Sequence, residues 1–113
     1  MPKLLKASEL RPWVASILIA GGSAQAEADQ VAANLVLANL SGHDSHGIGM
    51  VPRYVDAILE GGLKPNTSMA VKFDGGAMLS IDGQRGYGQI VGVQAMELAI
   101  ARARQHGSCI MAL

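Results

Sequence analysis

Apolar residues recur every three or four positions through the first sixty residues, a spacing typical of amphipathic helices. The pattern is interrupted at Gly21-Gly22, Gly42 and Gly61-Gly62, and glycine commonly ends a helix. Ser8 and Ser23 stand where the first two helices should begin, so we expect their hydroxyls to cap them. The pattern predicts three helices, over residues 8–20, 23–41 and from about 45 or 51 to 60.

The pattern changes near residue 69. MAVKF (69–73) and AMLSI (77–81) are short runs of β-prone residues, and Asp74-Gly75-Gly76 between them is typical of a hairpin turn. A helix is predicted over about 88–106, with SCIMAL (108–113) as a third strand. The apolar period of that helix indicates that its core-facing residues are Val93, Met96, Ile100 and Ala103.

These elements predict an α+β fold in two parts. Residues 1–68 are an N-terminal helical segment of three helices, and residues 69–113 are a β-β-α-β unit, the start of an α+β domain that the pattern leaves truncated. The glycine-rich stretch GQRGYG (83–88) has the spacing G-x-x-G-x-G, not the G-x-G-x-x-G of a dinucleotide-binding turn. A classical Rossmann fold is therefore not expected.

Composition narrows the classes of partner. The formal net charge is zero and aromatic residues make up 4% of the chain, which argues against nucleic-acid binding. No apolar stretch approaches the length of a membrane span, and no signal peptide is evident. Cys109 is the single cysteine, so an internal disulfide is impossible and a reducing compartment is favoured. We expect a cytoplasmic protein that binds neither nucleic acid nor membrane.

The stretch SGHDSHGIGM (41–50) carries the candidate chemistry. His43 and His46 are spaced to share a metal ion, but a third ligand is missing, so no metal site is expected. His46 with Arg53 and Tyr54 offers a proton donor, a carboxylate-binding cation and a phenol, a set that suits reduction of a 2-oxo acid. From spacing alone, a polar turn in which Ser45 caps the next helix is the favoured interpretation.

Two longer stretches carry a family resemblance. NLVLANLSGHDSHGIGMVPRYVDAILEGGLKP (34–65) and IDGQRGYGQIVGVQAMELAIARARQHG (81–107) resemble the type 2 malate/L-lactate dehydrogenase family, which includes sulfolactate and ureidoglycolate dehydrogenases. The resemblance implies that His46 is the proton donor, that Ser45 is its relay or orienting partner and that Tyr54 lies near the substrate. Several members have arginine where this chain has Met50, which leaves Arg53 as the candidate for binding the substrate carboxylate.

The resemblance also implies an NAD- or NADP-dependent enzyme that is commonly a homodimer. It acts on a small 2-hydroxy or 2-oxo acid, and its nicotinamide-binding segments lie beyond the equivalent of residue 113. The cofactor-binding residues therefore cannot be named, and we expect these 113 residues alone to be inactive. The alternative hypothesis is a non-catalytic binding or assembly module that pairs through the edge of its C-terminal strand.

Overall fold

The computed structural model describes residues 3–113. The chain up to Asn66 forms one compact unit and Thr67–Leu113 forms another. The predicted α+β class, helices followed by a β-β-α-β unit, is confirmed. The first unit contains the helices α1 (Ala7–Ala20), α2 (Gln25–Leu40) and α3 (Val51–Leu59), and the second contains β1 (Ala70–Asp74), β2 (Met78–Asp82), α4 (Gly88–His106) and β3 (Ile110–Ala112).

The core of the first unit lies where α1 packs against α2. Each helix presents one apolar face, and burying an aliphatic side chain contributes roughly 1.5–3 kcal/mol. Alanines at three of these positions allow the two helix backbones to approach closely. The buried side chains are Val14, Ala15 and Leu18 from α1 and Ala28, Val31, Ala32, Leu35 and Val36 from α2.

The predicted serine caps of α1 and α2 are wrong. The residue that precedes α1 is Lys6, and it makes no side-chain capping bond, while Ser8 lies inside the helix. Ser23 is 4% exposed, and its hydroxyl has no hydrogen-bond partner in the described part of the chain. Ala24, the residue that precedes α2, instead donates its N–H to Oδ1 of Asn66 at 2.7 Å. The two residues are 42 positions apart in the sequence.

Asn66 fastens the segment after α3 to the start of α2. Its side-chain amide donates to the carbonyl of Gly22 at 2.8 Å, and its backbone N–H donates to both carboxylate oxygens of Glu27 at 2.9 and 3.1 Å. Glu27 is only 8% exposed, so these bonds satisfy a buried carboxylate. The segment that follows α3 is thus anchored at Asn66.

The second unit is built on a three-stranded sheet in the order β1-β2-β3. β1 and β2 are antiparallel, with Val71 opposite Ile81 and a bulge between Val71 and Phe73. The predicted hairpin turn is present, and the N–H of Gly75 donates to the carbonyl of Met78 at 2.8 Å. β2 and β3 are parallel, so α4 is the crossover between them.

The predicted core face of α4 is wrong. Val93, Met96 and Ile100 are between 44% and 52% exposed, whereas Val91, Ala95 and Ala99 are buried. Ala95 packs with Leu79 and Ile81 of β2, and Met69, Leu98, Cys109 and Met111 pack around them. Small residues allow the helix to lie close to the sheet. No helix within residues 3–113 is long and apolar enough to cross a membrane.

Candidate functional site

The segment that carries the two histidines lies between α2 and α3. α2 ends at Leu40, and Gly42 then adopts a left-handed conformation with φ of +79°, which glycine reaches at little cost. The N–H of His43 donates to the carbonyl of Ala38 at 2.8 Å, so the chain folds back on the end of the helix. Two short 3₁₀ turns follow, Asp44–His46 and Ile48–Met50. The predicted alternatives, a helix starting at Ser45 or at Val51, are resolved in favour of Val51.

Ser45 and His46 are in direct contact in the first of these turns. The Ser45 hydroxyl oxygen lies 2.9 Å from Nδ1 of His46, and both side chains are exposed. The hydroxyl oxygen can accept from Nδ1–H both in the neutral Nδ1–H tautomer and in the imidazolium. The same contact can therefore persist in both protonation states, and it leaves Nε2 as the nitrogen available for exchange with a substrate.

Asn39, in the last turn of α2, contacts both sides of the Ser45-His46 pair. Its Nδ2 donates to Oδ1 of Asp44 at 2.7 Å, and its Oδ1 accepts from the N–H of Ile48 at 2.8 Å. Sequence reasoning did not single out Asn39. Its position four residues after the buried Leu35 places a polar residue on an otherwise apolar helix face, and that is the signal that points to it.

The ring of His43 lies next to that of His46. The two rings are 5.9 Å apart, centroid to centroid, and tilted by 41°. Within residues 3–113, no three His, Cys, Asp or Glu side chains are grouped closely enough to hold a metal ion. A protein metal site usually needs at least three such ligands.

Arg53 and Tyr54 both lie in the first turns of α3, which follows the second 3₁₀ turn directly. Arg53 is exposed and Tyr54 half-buried. Arg53 has no ion-pair partner in the part of the chain that the structure describes, which leaves its guanidinium available to an anion. Met50, at the end of the second turn, is half-buried.

The glycine-rich turn before α4 is explained by its own packing. A Cβ on Gly86 would lie 2.9 Å from the carbonyl oxygen of Thr67 and from a methyl group of Val91. Its N–H donates to the carbonyl of Gly83, and the N–H of Gln84 donates to the Asp82 carboxylate. The N–H groups of Gln84 and Gly86 are thus used within the turn itself, as in a tight turn from strand to helix.

Comparison with known proteins identifies the family. The sequence model of the malate/L-lactate dehydrogenase family matches residues 5–113. Hydroxycarboxylate dehydrogenase B of Escherichia coli K12 is 41% identical over 107 residues, which are 95% of this chain and 30% of that protein. L-sulfolactate dehydrogenase of Methanocaldococcus jannaschii is 35% identical over 96% of this chain and 32% of its own length.

A solved structure gives the same result. Malate dehydrogenase from Pyrococcus horikoshii superposes with a TM-score of 0.86 at 36% identity, over 95% of this chain and 31% of that one. The chain belongs to the malate/L-lactate dehydrogenase family. It spans about 30% of the length of the curated relatives that it matches.

Proposed function

We propose that the complete protein is an NAD(P)-dependent oxidoreductase that interconverts a small 2-hydroxy acid and the corresponding 2-oxo acid. The observation that carries this proposal is the contact between Ser45 and His46 in an exposed turn, within a chain of the malate/L-lactate dehydrogenase family. Relatives named for hydroxycarboxylates, malate and sulfolactate support this class of substrate.

The role proposed for His46 is that of the general acid and base. Oxidation of a 2-hydroxy acid removes a hydride from C2 and a proton from the hydroxyl, and reduction returns both. Nε2 of His46 takes the hydroxyl proton in one direction and returns it to the developing alkoxide in the other. Ser45 holds the ring by its other nitrogen throughout, because its hydroxyl oxygen can accept from Nδ1–H whether or not Nε2 carries a proton.

Arg53 and Tyr54 are proposed to contact the substrate. A guanidinium forms paired hydrogen bonds to a carboxylate, and Arg53 is an exposed cation in the first turn of α3. Tyr54 is the neighbouring half-buried phenol. Because Met50 carries no charge, Arg53 is proposed to bind the carboxylate of the 2-hydroxy acid.

NAD or NADP is proposed as the second substrate, and its binding residues are not assigned among residues 3–113. The 113-residue chain by itself is accordingly proposed to be inactive. By the same resemblance, we propose that the complete protein is a homodimer. Equilibrium binding of NADH and NADPH tests the proposed cofactor, and light scattering after size exclusion tests the proposed homodimer.

The His46 proposal is tested with His46→Ala in the full-length protein, assayed with L-malate, L-lactate and L-sulfolactate. Loss of a general acid-base group lowers kcat by about 10²- to 10⁴-fold, while the dissociation constants of NADH and NADPH stay within a factor of about two. His43→Ala is the matched control, since that ring lies next to His46 and should leave kcat nearly unchanged. Near-normal turnover by His46→Ala contradicts the proposal.

A further inference from the structure

We propose that Asn39 is a positioning residue for catalysis, acting by holding the turn that presents His46. This inference rests on the proposed role of His46. The side-chain hydrogen bonds of Asn39 go to Asp44 and Ile48, so its effect on His46 passes through the residues on either side of that histidine. The proposal stands on three features of the structure: two hydrogen bonds, one close steric fit and the chemistry of the amide group.

The two hydrogen bonds of Asn39 are made to residues on either side of Ser45 and His46. Asp44, bound through its carboxylate at 2.7 Å, comes just before Ser45, and Ile48, bound through its N–H at 2.8 Å, comes two residues after His46. The turn between these points is short and exposed, and exposed loops are the mobile parts of most folds. Fixing both flanks to the end of α2 limits the positions that the His46 ring can take.

The steric fit comes from Gly47, which directly follows His46. A Cβ at position 47 would lie 2.1 Å from Oδ1 of Asn39, so the Asn39 amide occupies the space that a side chain would need. Gly47 is buried although its neighbours Ser45 and His46 are exposed. The amide therefore packs against the backbone of the turn as well as binding it, and a shift of either group displaces the other.

The amide is the group that this arrangement requires. One side of Asn39 must accept from a backbone N–H and the other must donate to a carboxylate, and an amide does both. An aspartate at position 39 would keep the acceptor but would place its second oxygen against Asp44. Two ionised carboxylates at that separation repel each other. Exchanging the two residue types, with aspartate at 39 and asparagine at 44, restores a donor opposite an acceptor.

The test uses the full-length protein with four variants: Asn39→Ala, Asn39→Asp, the exchange Asn39→Asp/Asp44→Asn, and the control Asn34→Ala. Asn34 is exposed on the same helix. Displacing a catalytic group by about 1 Å can cost 10²-fold in rate, so we expect kcat of Asn39→Ala to fall by about 10- to 100-fold. KM for the 2-hydroxy acid and the dissociation constant of NAD(P)H should change little.

The exchange variant separates positioning from general destabilisation. We expect Asn39→Asp to lose turnover near neutral pH and the exchange to recover most of it. The proposal is overturned if Asn39→Ala and Asn34→Ala have the same kcat. If Asn39→Ala does not fold, the exchange decides: recovered turnover supports the proposal, and a folded but slow exchange variant overturns it. A fully active His46→Ala would instead refute the proposed function.

Discussion

The hydroxyl oxygen of Ser45 lies 2.9 Å from Nδ1 of His46, although the two residues are adjacent in the chain. Side chains of adjacent residues diverge in a regular helix or strand. The contact is reached in a short 3₁₀ turn, Asp44–His46, followed by Gly47 in an extended conformation with φ of −92° and ψ of −151°. The irregular backbone of this turn is thus what lets a serine orient the histidine beside it.

Ser45→Ala removes this orienting contact and should lower kcat in the full-length protein. Losing one hydrogen bond worth about 0.5–1.5 kcal/mol corresponds to roughly a 2- to 10-fold lower rate. Ser45→Thr keeps a hydroxyl and should retain most of the activity. Ser41→Ala, at an exposed serine just before the turn, is the matched control. Steady-state kinetics in which Ser45→Ala and Ser41→Ala behave alike would remove Ser45 from the proposed mechanism.

The sequence was informative where one residue type decides the local structure. The helix over 88–106 and the hairpin at Asp74-Gly75-Gly76 lie where the pattern predicted them, because glycine and the change of period mark their limits. The family resemblance in the two quoted stretches is confirmed by the match to residues 5–113. The catalytic and substrate-binding roles stay predictions for four residues: Ser45, His46, Arg53 and Tyr54.

The predictions that failed depended on packing between distant residues. α4 has apolar residues on two sides, and the pattern favoured the larger ones, Val93, Met96 and Ile100. The sheet instead receives the side with Ala95, since small residues let helix and strands approach. The cap of α2 likewise comes from Asn66, 42 residues after Ala24. No local pattern contains that pairing.

Gly47→Ala should destabilise the candidate site because no space exists for the methyl group. The added Cβ would overlap the Asn39 amide, and overpacking of this kind typically costs about 1–3 kcal/mol. Gly49→Ala is the matched control, because its Cβ would meet only the carbonyl oxygen of Asp44, at 4.0 Å. Thermal unfolding and kcat of both variants measure the difference.

A double variant tests whether Asn39 is the source of the overlap. In Gly47→Ala/Asn39→Ala the obstructing amide is gone. The change in the free energy of unfolding should therefore be smaller than the sum of the two single changes, because part of the loss from Gly47→Ala is recovered. Strict additivity of the two changes would place the strain of Gly47→Ala elsewhere.

Asn66 should tolerate glycine better than alanine. Its φ of +58° is in the left-handed region, which costs a residue with a Cβ about 1–2 kcal/mol. Both substitutions lose the side-chain bonds to Gly22 and Ala24, each worth about 0.5–1.5 kcal/mol. Denaturant unfolding should therefore rank stability as wild type, then Asn66→Gly, then Asn66→Ala. Equal stability of the two variants would mean that backbone strain at this position is unimportant.

Asp74 and Arg102 should make the second unit sensitive to acid. Arg102 binds both carboxylate oxygens of Asp74, at 2.5 and 2.6 Å. This hydrogen bonding, helped by the N–H of Gly76, lowers the pKa of Asp74 from 3.8 to about 2. Because the pKa is lower in the folded protein than in the unfolded chain, the stabilisation is complete above pH 3.8 and is lost as the pH falls toward 2.

The comparison of Asp74→Asn with wild type measures this dependence. Near neutral pH the variant should have the lower Tm, and the difference should shrink below pH 3.8 and be lost as the pH falls through about 2. Lys72→Gln is the control, because the Lys72 ammonium is 3.9 Å from the Asp82 carboxylate and both side chains are well exposed; such pairs contribute little. A Tm difference for Asp74→Asn that stays constant from pH 6 to pH 2 would show that the charge of Asp74 does not stabilise the fold.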